Sequence, residues 1–302
     1  MRKQILFSVA LLLLSILSSV SVVAQDVIPQ PNNISYSKGY FTLNKGLKAV
    51  TNLTGQDFKV LNQFTSDDMD MPLISMKKPS KAYNVRLICT GTALQATQAQ
   101  DSARLQGYEL EVSPKSITIQ SLTPTGLFYG LLTLAQLEKG RQIPCVKVKD
   151  TPRFPYRGLM IDCSRHFWTK KFIMKQLDAM AYFKLNRFHW HLTDGGGWRM
   201  EVKQYPRLTN ETAYRTQSDW VKWWMEKDRK YCPVGTPGAY GGYYTQQDIK
   251  DIVRYAAARH ITVIPEIEMP GHSDEVVYAY PELSCTGKPY TQSDLCVGKE
   301  KT

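Results

Sequence analysis

Apolar and polar residues alternate in two neighbouring stretches, residues 106–112 (QGYELEV) and 116–121 (SITIQS), with the turn residues SPK between them. A period of two sends successive side chains to opposite faces, so the pair predicts an antiparallel hairpin with one buried and one wet face. Residues 123–139 (TPTGLFYGLLTLAQLEK) carry apolar side chains at helical spacing and end on a lysine, which predicts a helix. Residues 46–52 (GLKAVTN) and 83–91 (YNVRLICTG) read as further strands. Residues 25–150 are therefore expected to form an α+β domain, a sheet with helices on one side.

The pattern changes beyond residue 151. Residues 156–164 (YRGLMIDCS) read as a short apolar strand. Behind a capping Thr169, Phe172, Ile173, Leu177, Met180 and Ala181 make a helical stripe. Residues 186–194 (NRFHWHLTD) predict a second strand, and a glycine- and tryptophan-rich segment then runs from Gly195 to about Gly242. Thr245 and Asp248 have capping-box spacing at the start of a helix, and residues 260–270 (HITVIPEIEMP) predict a third strand. Residues 272–280 (HSDEVVYAY) open another helix, with Asp274 and Glu275 in its first turn, where acids favour the dipole. Strand, helix, strand, helix, strand is the order of a parallel α/β fold. A closed (β/α)₈ barrel takes roughly 250 residues. Residues 151–302 offer three strands, so the expectation is a small open sheet or a chain truncated within a barrel. The final CVGKEKT, which starts a polar run with no terminating signal, favours truncation. An unclosed barrel would leave strand edges unpaired and inner apolar faces wet.

Residues 1–24 combine a basic start (MRKQ), an apolar stretch and the small-residue site Val22-Val23-Ala24, and read as a signal peptide. The chain is expected to be exported, periplasmic or secreted, with no membrane span after cleavage. The fractions of hydrophobic (43%) and charged (22%) residues exclude a disordered, collagenous or coiled-coil chain. The formal charge of +11 is spread along the sequence without a basic run, so it does not single out nucleic acid. Six cysteines include no CxxC pair. Cys285 and Cys296 flank a loop rich in Gly, Pro, Thr and Ser, and a disulfide is expected there.

Candidate chemistry gathers where the predicted strands end: Asp162, Ser164, Arg165 and His166 after the first, His191 and Asp194 after the second, Glu266, Glu268 and His272 after the third. Arg157 opens the first strand and could fork onto vicinal hydroxyls or a carboxylate, or serve in a structural ion pair. His189 and His191 share a strand face, as do the paired imidazoles of metal-dependent barrel hydrolases, which leaves a metal-dependent hydrolase as an alternative. Asp194 and His272 could form a carboxylate–imidazole pair that tunes a third group. Glu266 and Glu268 project in parallel from one strand, which suits rim residues better than an acid and a nucleophile on opposite sides of a bond. Trp220, Trp223 and Trp224 lie in SDWVKWWMEKDRK. Sugar stacking, single-stranded nucleic acid and core packing all fit such a segment, and export argues against nucleic acid.

At these residues the sequence resembles family-20 glycoside hydrolases, the β-N-acetylhexosaminidases. The resemblance rests on TPTGLFYGLLTLAQL, RGLMIDCSRHF, NRFHWHLTDGGGWRMEV and YGGYYTQQDIKDIVRYAAARHITVIPEIEMPGHS. It implies an α+β domain followed by a (β/α)₈ barrel, of which residues 151–302 would supply the first three or so strands. It also implies removal of terminal β-linked N-acetylglucosamine or N-acetylgalactosamine, without metal or other cofactor, by a retaining mechanism in which the substrate's acetamide is the nucleophile. The partners would be glycans ending in N-acetylhexosamine. Arg157 would match the arginine that grips the sugar hydroxyls, and Asp194 with His272 the pair behind the catalytic glutamate. Glu268 and Trp220 would be candidates for the rim. The family's catalytic Asp-Glu pair follows a HxGGDE-like stretch expected beyond residue 302, so no catalytic residue is assigned and Asp274-Glu275 is not its equivalent. The chain would then be an inactive fragment, or alternatively a non-catalytic glycan-binding protein. Gly195-Gly196 stand where many members carry acidic or amide side chains.

Overall fold

The structure, a computed structural model, describes residues 27–80, 82–227 and 229–300; the expected signal peptide lies outside them. Alternation builds the first sheet. It comprises β1 (Asn33–Thr42), β2 (Ala49–Thr51), β3 (Leu73–Ser75), β4 (Val85–Cys89), β5 (Tyr108–Ser113), β6 (Ser116–Ser121) and β7 (Gln142–Asp150). The strand order is β1-β7-β5-β6-β4-β2-β3, with antiparallel and parallel pairs mixed. Tyr108, Leu110 and Val112 of β5 point inward and are buried. Glu109 and Glu111 point outward, opposite Lys149 and Lys147 of β7, at 2.8 and 2.9 Å. Two helices, α1 (Gly55–Met69) and the short α2 (Ala93–Thr97), lie between strands in sequence.

Helix α3 (Pro124–Leu137) is buried nearly all round, because two layers share it. Gly126 and Gly130 face the first sheet: a Cβ on Gly130 would lie 2.5 Å from Ile119 Cγ2, so only glycine permits this approach. Thr125, Tyr129, Thr133 and Gln136 face the other way, at helical spacing. They meet His260, Arg157, Lys184 and the Tyr182 carbonyl.

The second sheet holds three parallel strands, β8 (Gly158–Asp162), β9 (Arg187–His191) and, after the insert, the last strand (Thr262–Glu266), with β9 central. Between β8 and β9 runs α4 (Lys170–Tyr182), capped by Thr169, whose hydroxyl accepts the Phe172 N–H. The insert between residues 195 and 242 carries α5 (Arg207–Thr212), β10 (Tyr214–Arg215), α6 (Trp220–Met225), β11 (Tyr231–Cys232) and β12 (Tyr240–Gly241). Its three short strands form a separate sheet. Helix α7 (Gln246–Ala257) starts on the expected capping box of Thr245 and Asp248 and leads into β13, the last strand named above. Helix α8 (Asp274–Ala279) follows. Cys285 and Cys296 are disulfide-bonded; Cys89, Cys145, Cys163 and Cys232 are free.

One apolar core runs from the first sheet through α3 into α4, β9 and α7. Among the described residues, the outer edges of β8 and β13 have no partner strand, and Leu159 and Met160 are exposed. No described helix is long and apolar enough to cross a membrane.

Candidate active site

Parallel strands have two chemically different ends, and the start of each strand in the second sheet is covered. Arg157, ahead of β8, donates from Nε to the Lys184 carbonyl (2.7 Å), from Nη1 to the Phe154 carbonyl (2.6 Å) and from Nη2 to the Tyr129 hydroxyl (3.1 Å). Arg187, at the start of β9, donates to Gln100 and pairs with Asp101. Lys184 Nζ lies 2.7 Å from Thr133 Oγ1 and 3.1 Å from the Tyr108 hydroxyl, and its burial lowers its pKa to about 8. This pole is the seam against the first sheet and α3.

The expectation that Arg157 joins Asp194 and His272 at one rim is therefore corrected. Five residues of strand, about 16 Å, separate the start of β8 from its carboxyl end. The arginine at the functional end is Arg165. The side-chain Oδ1 of Asp162 accepts the N–H groups of Ser164 and Arg165, both at 2.9 Å, and this turn brings the Arg165 guanidinium over the strand ends. Arg165 Nη1 lies 2.9 Å from Asp162 Oδ2, and Nη2 lies 2.5 Å from Asp194 Oδ2. The rule that polar groups at carboxyl ends do the chemistry already favoured Arg165 over Arg157.

Asp194 is the hub. It is buried, and besides Arg165 it meets the Gly195 N–H (2.6 Å), His191 Nε2 (3.2 Å) and His272 Nδ1 (3.3 Å). His272 follows Pro270-Gly271 with a left-handed backbone (φ 52), unusual for a residue with a side chain, and its side chain is 62% exposed. Asp194 and His272, paired in the sequence reading, are thus in contact, with the imidazole presented to solvent.

Beneath this hub, the register of β13 on β9 sets Glu266 beside His191. Glu266 Oε2 lies 2.7 Å from His191 Nδ1 and 2.5 Å from His189 Nε2. Burial works against a charged His191, but the carboxylates of Asp194 and Glu266 outweigh it and raise its pKa to about 9. Burial pushes the Glu266 carboxyl up, and the hydrogen bonds with His191, Glu268 and His189 more than reverse this, holding it down at about 2. Glu268 shares a hydrogen bond with Glu266, which raises its pKa; its own N–H donates to Thr193 Oγ1 at 2.9 Å.

His191, Glu266 and Glu268 offer ligand atoms within 4.8 Å of one another, so this cluster is where a cation could sit. Metal binding needs an imidazole lone pair. Both His191 nitrogens already face carboxylates, and a ring titrating near 9 is protonated at neutral pH. The cluster reads as a charge-balanced network.

Two buried arginines hold the rim without any carboxylate. Arg199 donates to the carbonyls of Cys163, Ser164, Gly196, Ala213 and Gly242. Arg215 donates to those of Arg165, Gly196, Gln217 and Ser218. They tie the loops after β8 and β9 to the insert. Asp274 and Glu275 start α8 as expected but are buried, not solvated. Both Glu275 oxygens lack a hydrogen-bond partner, and burial raises its pKa well above the usual range. The tryptophans divide. Trp223 is buried, with Nε1 donating to the Lys230 carbonyl, whereas Trp220 and Trp224 are partly exposed. Trp220 sits beside Arg165 at the rim, with the guanidinium 5.9 Å from its ring centroid. A surface concavity of about 790 Å³ lies elsewhere, on the outer face of the first sheet, where the Glu–Lys pairs of β5 and β7 already balance one another.

A carboxylate–imidazole pair and an arginine thus meet at the carboxyl ends of parallel strands, with the partly exposed Trp220 beside them. Residues 24–151 match the family model "Glycosyl hydrolase family 20, domain 2", and residues 154–302 match "Glycosyl hydrolase family 20, catalytic domain". The chain belongs to glycoside hydrolase family 20. A β-hexosaminidase of Porphyromonas gingivalis is 35% identical over 91% of this chain and 35% of its own length. The crystal structure of a β-N-acetylhexosaminidase from Bacteroides fragilis superposes with a TM-score of 0.73 at 29% identity, covering 92% of this chain and 52% of the other. An exo-β-N-acetylglucosaminidase from Vibrio harveyi, solved in complex with N-acetylglucosamine, gives 0.69 at 29% identity, covering 90% and 42%. The chain thus spans about a third of that curated relative and about half of these solved ones.

Proposed function

We propose that this chain carries the sugar-gripping side of an exported β-N-acetylhexosaminidase site and binds the terminal N-acetylhexosamine of a glycan. Residues 25–150 are its α+β domain, and residues 151–302 contribute the opening strands of a (β/α)₈ barrel. The observation that carries the reading is the convergence of Arg165 and His272 on Asp194 at the strand ends. Arg165 is held by two carboxylates yet keeps part of its guanidinium exposed, so it can donate to vicinal hydroxyls of a pyranose. The role that the family resemblance gave to Arg157 falls to Arg165. Asp194 orients the His272 ring, and the exposed imidazole can support a neighbouring acid. In a substrate-assisted reaction the acetamide oxygen of the sugar attacks the anomeric carbon, and a carboxylic acid protonates the leaving oxygen. Glu275 does not supply that proton, because its carboxyl is sealed from the rim. No catalytic acid is assigned among the described residues.

Calorimetric titration with N-acetylglucosamine, N-acetylgalactosamine and glucose tests this. Saturable binding of the two acetamido sugars, abolished in Arg165→Ala, is expected; equal binding of glucose or none of any sugar overturns the reading. A chromogenic N-acetylglucosaminide should not be hydrolysed. Turnover that disappears in Glu275→Gln would make Glu275 the acid and reverse that assignment.

A further inference from the structure

We infer that the loop closed by the Cys285–Cys296 bridge holds His272 against Asp194, and that reduction of this bridge by a dithiol releases the imidazole. The inference deepens the reading of Asp194 and His272 as part of the sugar site and rests on that reading for what the release impairs; the contact itself is tested without sugar.

The left-handed backbone of His272 (φ 52) is one that a residue with a side chain keeps only where its surroundings dictate it. Residues 293–295 supply those surroundings. The Leu295 N–H donates to the Pro270 carbonyl, and the Ser273 N–H donates to the Ser293 carbonyl, both at 2.8 Å. Between these bonds, a Cβ on Gly271 would lie 3.2 Å from Asp294 Oδ1. The turn that carries the imidazole is thus gripped on both sides by one short segment. The Ser273 hydroxyl bonds the Gly271 and Glu268 carbonyls, at 3.0 and 3.3 Å, but these bonds stay within the turn and do not fix it to a neighbour. The gripping segment is seated on α8: the Ser293 side chain hydrogen-bonds Asp274, and Leu295 packs on the apolar cluster that includes Val276 and Ala279.

Residues 284–296 form no helix or strand, so the loop takes its shape from a few anchors. Tyr290 fixes its middle, the hydroxyl accepting the Tyr231 N–H at 3.1 Å. The bridge fixes Cys296, directly after the gripping segment, and the Cys296 N–H donates to the Leu283 carbonyl at 2.8 Å. Opening the bridge returns chain freedom to the stretch between Tyr290 and residue 296. Cys285 is exposed, and the other four cysteines are free, so this is the disulfide that a mild reductant meets. A thiolate of the dithiol attacks one protein sulfur, and its second thiol then displaces the mixed disulfide. Two electrons and two protons pass to the protein, which gains two thiols as the reagent closes to a cyclic disulfide. The turn then loses its grip, and the imidazole loses its 3.3 Å contact with Asp194. Ser293 and Leu295 are positioning residues that act through His272.

The test uses the whole chain in bridged form, after reduction with dithiothreitol and after reoxidation, beside a variant carrying Cys285→Ser and Cys296→Ser. Imidazole resonances are read by NMR, with His272→Gln to assign the ring. In the bridged chain the His272 signals should stand apart from those of an unstructured histidine. Reduction or the double substitution should collapse them onto that position, and reoxidation should restore them, while the rings of His166 and His260 stay unmoved. The Ser273 and Leu295 amides should exchange about tenfold or more faster once the bridge is open. His272 signals that ignore reduction, or that move only together with those of His166 and His260 as in a general loosening, would overturn the clip. N-acetylglucosamine should then perturb the His272 ring in the bridged form alone; an equal response in both forms also counts against the clip. No response to the sugar in either form would sink the reading of the site, with the clip still decided by the sugar-free spectra.

Discussion

Arg165 Nη2 lies 2.5 Å from Asp194 Oδ2, whereas Arg157, which precedes the same strand, donates to the Lys184 and Phe154 carbonyls and the Tyr129 hydroxyl at the opposite pole. Replacing each arginine should separate binding from stability. Arg165→Lys keeps the charge but loses the planar fork that reaches Asp162 and Asp194 together. It is expected to weaken N-acetylglucosamine about 10- to 100-fold, the equivalent of one charge-assisted hydrogen bond. Arg157→Lys should cost about 1–3 kcal/mol of stability with little effect on sugar affinity. Paired calorimetry and thermal melts read both.

Arg199 spends its donors on five carbonyls in a fully buried position. Arg199→Met would leave those acceptors unsatisfied and should destabilise by at least about 3 kcal/mol. The same carbonyls belong to the loops that carry Arg165 and Asp194, so sugar affinity should fall with it. Urea unfolding beside a sugar titration measures the two losses. A stable variant with normal affinity would show that the carbonyls find other donors.

Gly196 and Gly195 should respond differently to alanine. At Gly196 a Cβ would stand 2.6 Å from the Ser164 carbonyl oxygen and 2.8 Å from Arg165 Cα, both backbone atoms that cannot swing aside. Gly196→Ala is expected to cost about 1–3 kcal/mol and to displace Arg165. Gly195→Ala meets a carboxylate end and a ring edge, which can shift by a few tenths of an ångström, so its cost should be clearly smaller. Melting temperatures of the two variants decide the order.

The seam between the two sheets should loosen in mild acid through His260. Its Nδ1 lies 3.1 Å from Thr125 Oγ1, its Nε2 has no partner among the described residues, and burial lowers its pKa to about 4 from an ordinary 6.5. Between those values the unfolded chain binds a proton that the folded chain refuses. The stabilising contribution is therefore fully present above pH 6.5 and is lost as the pH falls towards 4. His191 runs the other way: with its pKa raised to about 9, its contribution is full below pH 6.5 and lost as the pH rises through 9. Melting temperature should peak between these limbs and drop by roughly 4–8 °C from pH 6.5 to 4.5. His260→Phe, which can stack on the ring of Phe128, should flatten the acid limb alone.

Local order was legible in the chain. The hairpin of β5 and β6, the apolar helix α3, the caps of α4 and α7 and the Cys285–Cys296 bridge are all local in the chain. So did Asp194 and His272 as neighbours, because both follow strand ends. Helix α1 escaped notice, since its fifteen residues carry no strong apolar stripe, and so did the pairing of β1 with β7, whose partners lie a hundred or more residues apart. Sequence spacing could not say which tryptophan is buried, or that α3 is clasped from both sides. Those outcomes depend on which strand end faces which neighbour. Short-range periodicity and capping act within a few residues, but direction and burial are settled only when distant segments close on one another.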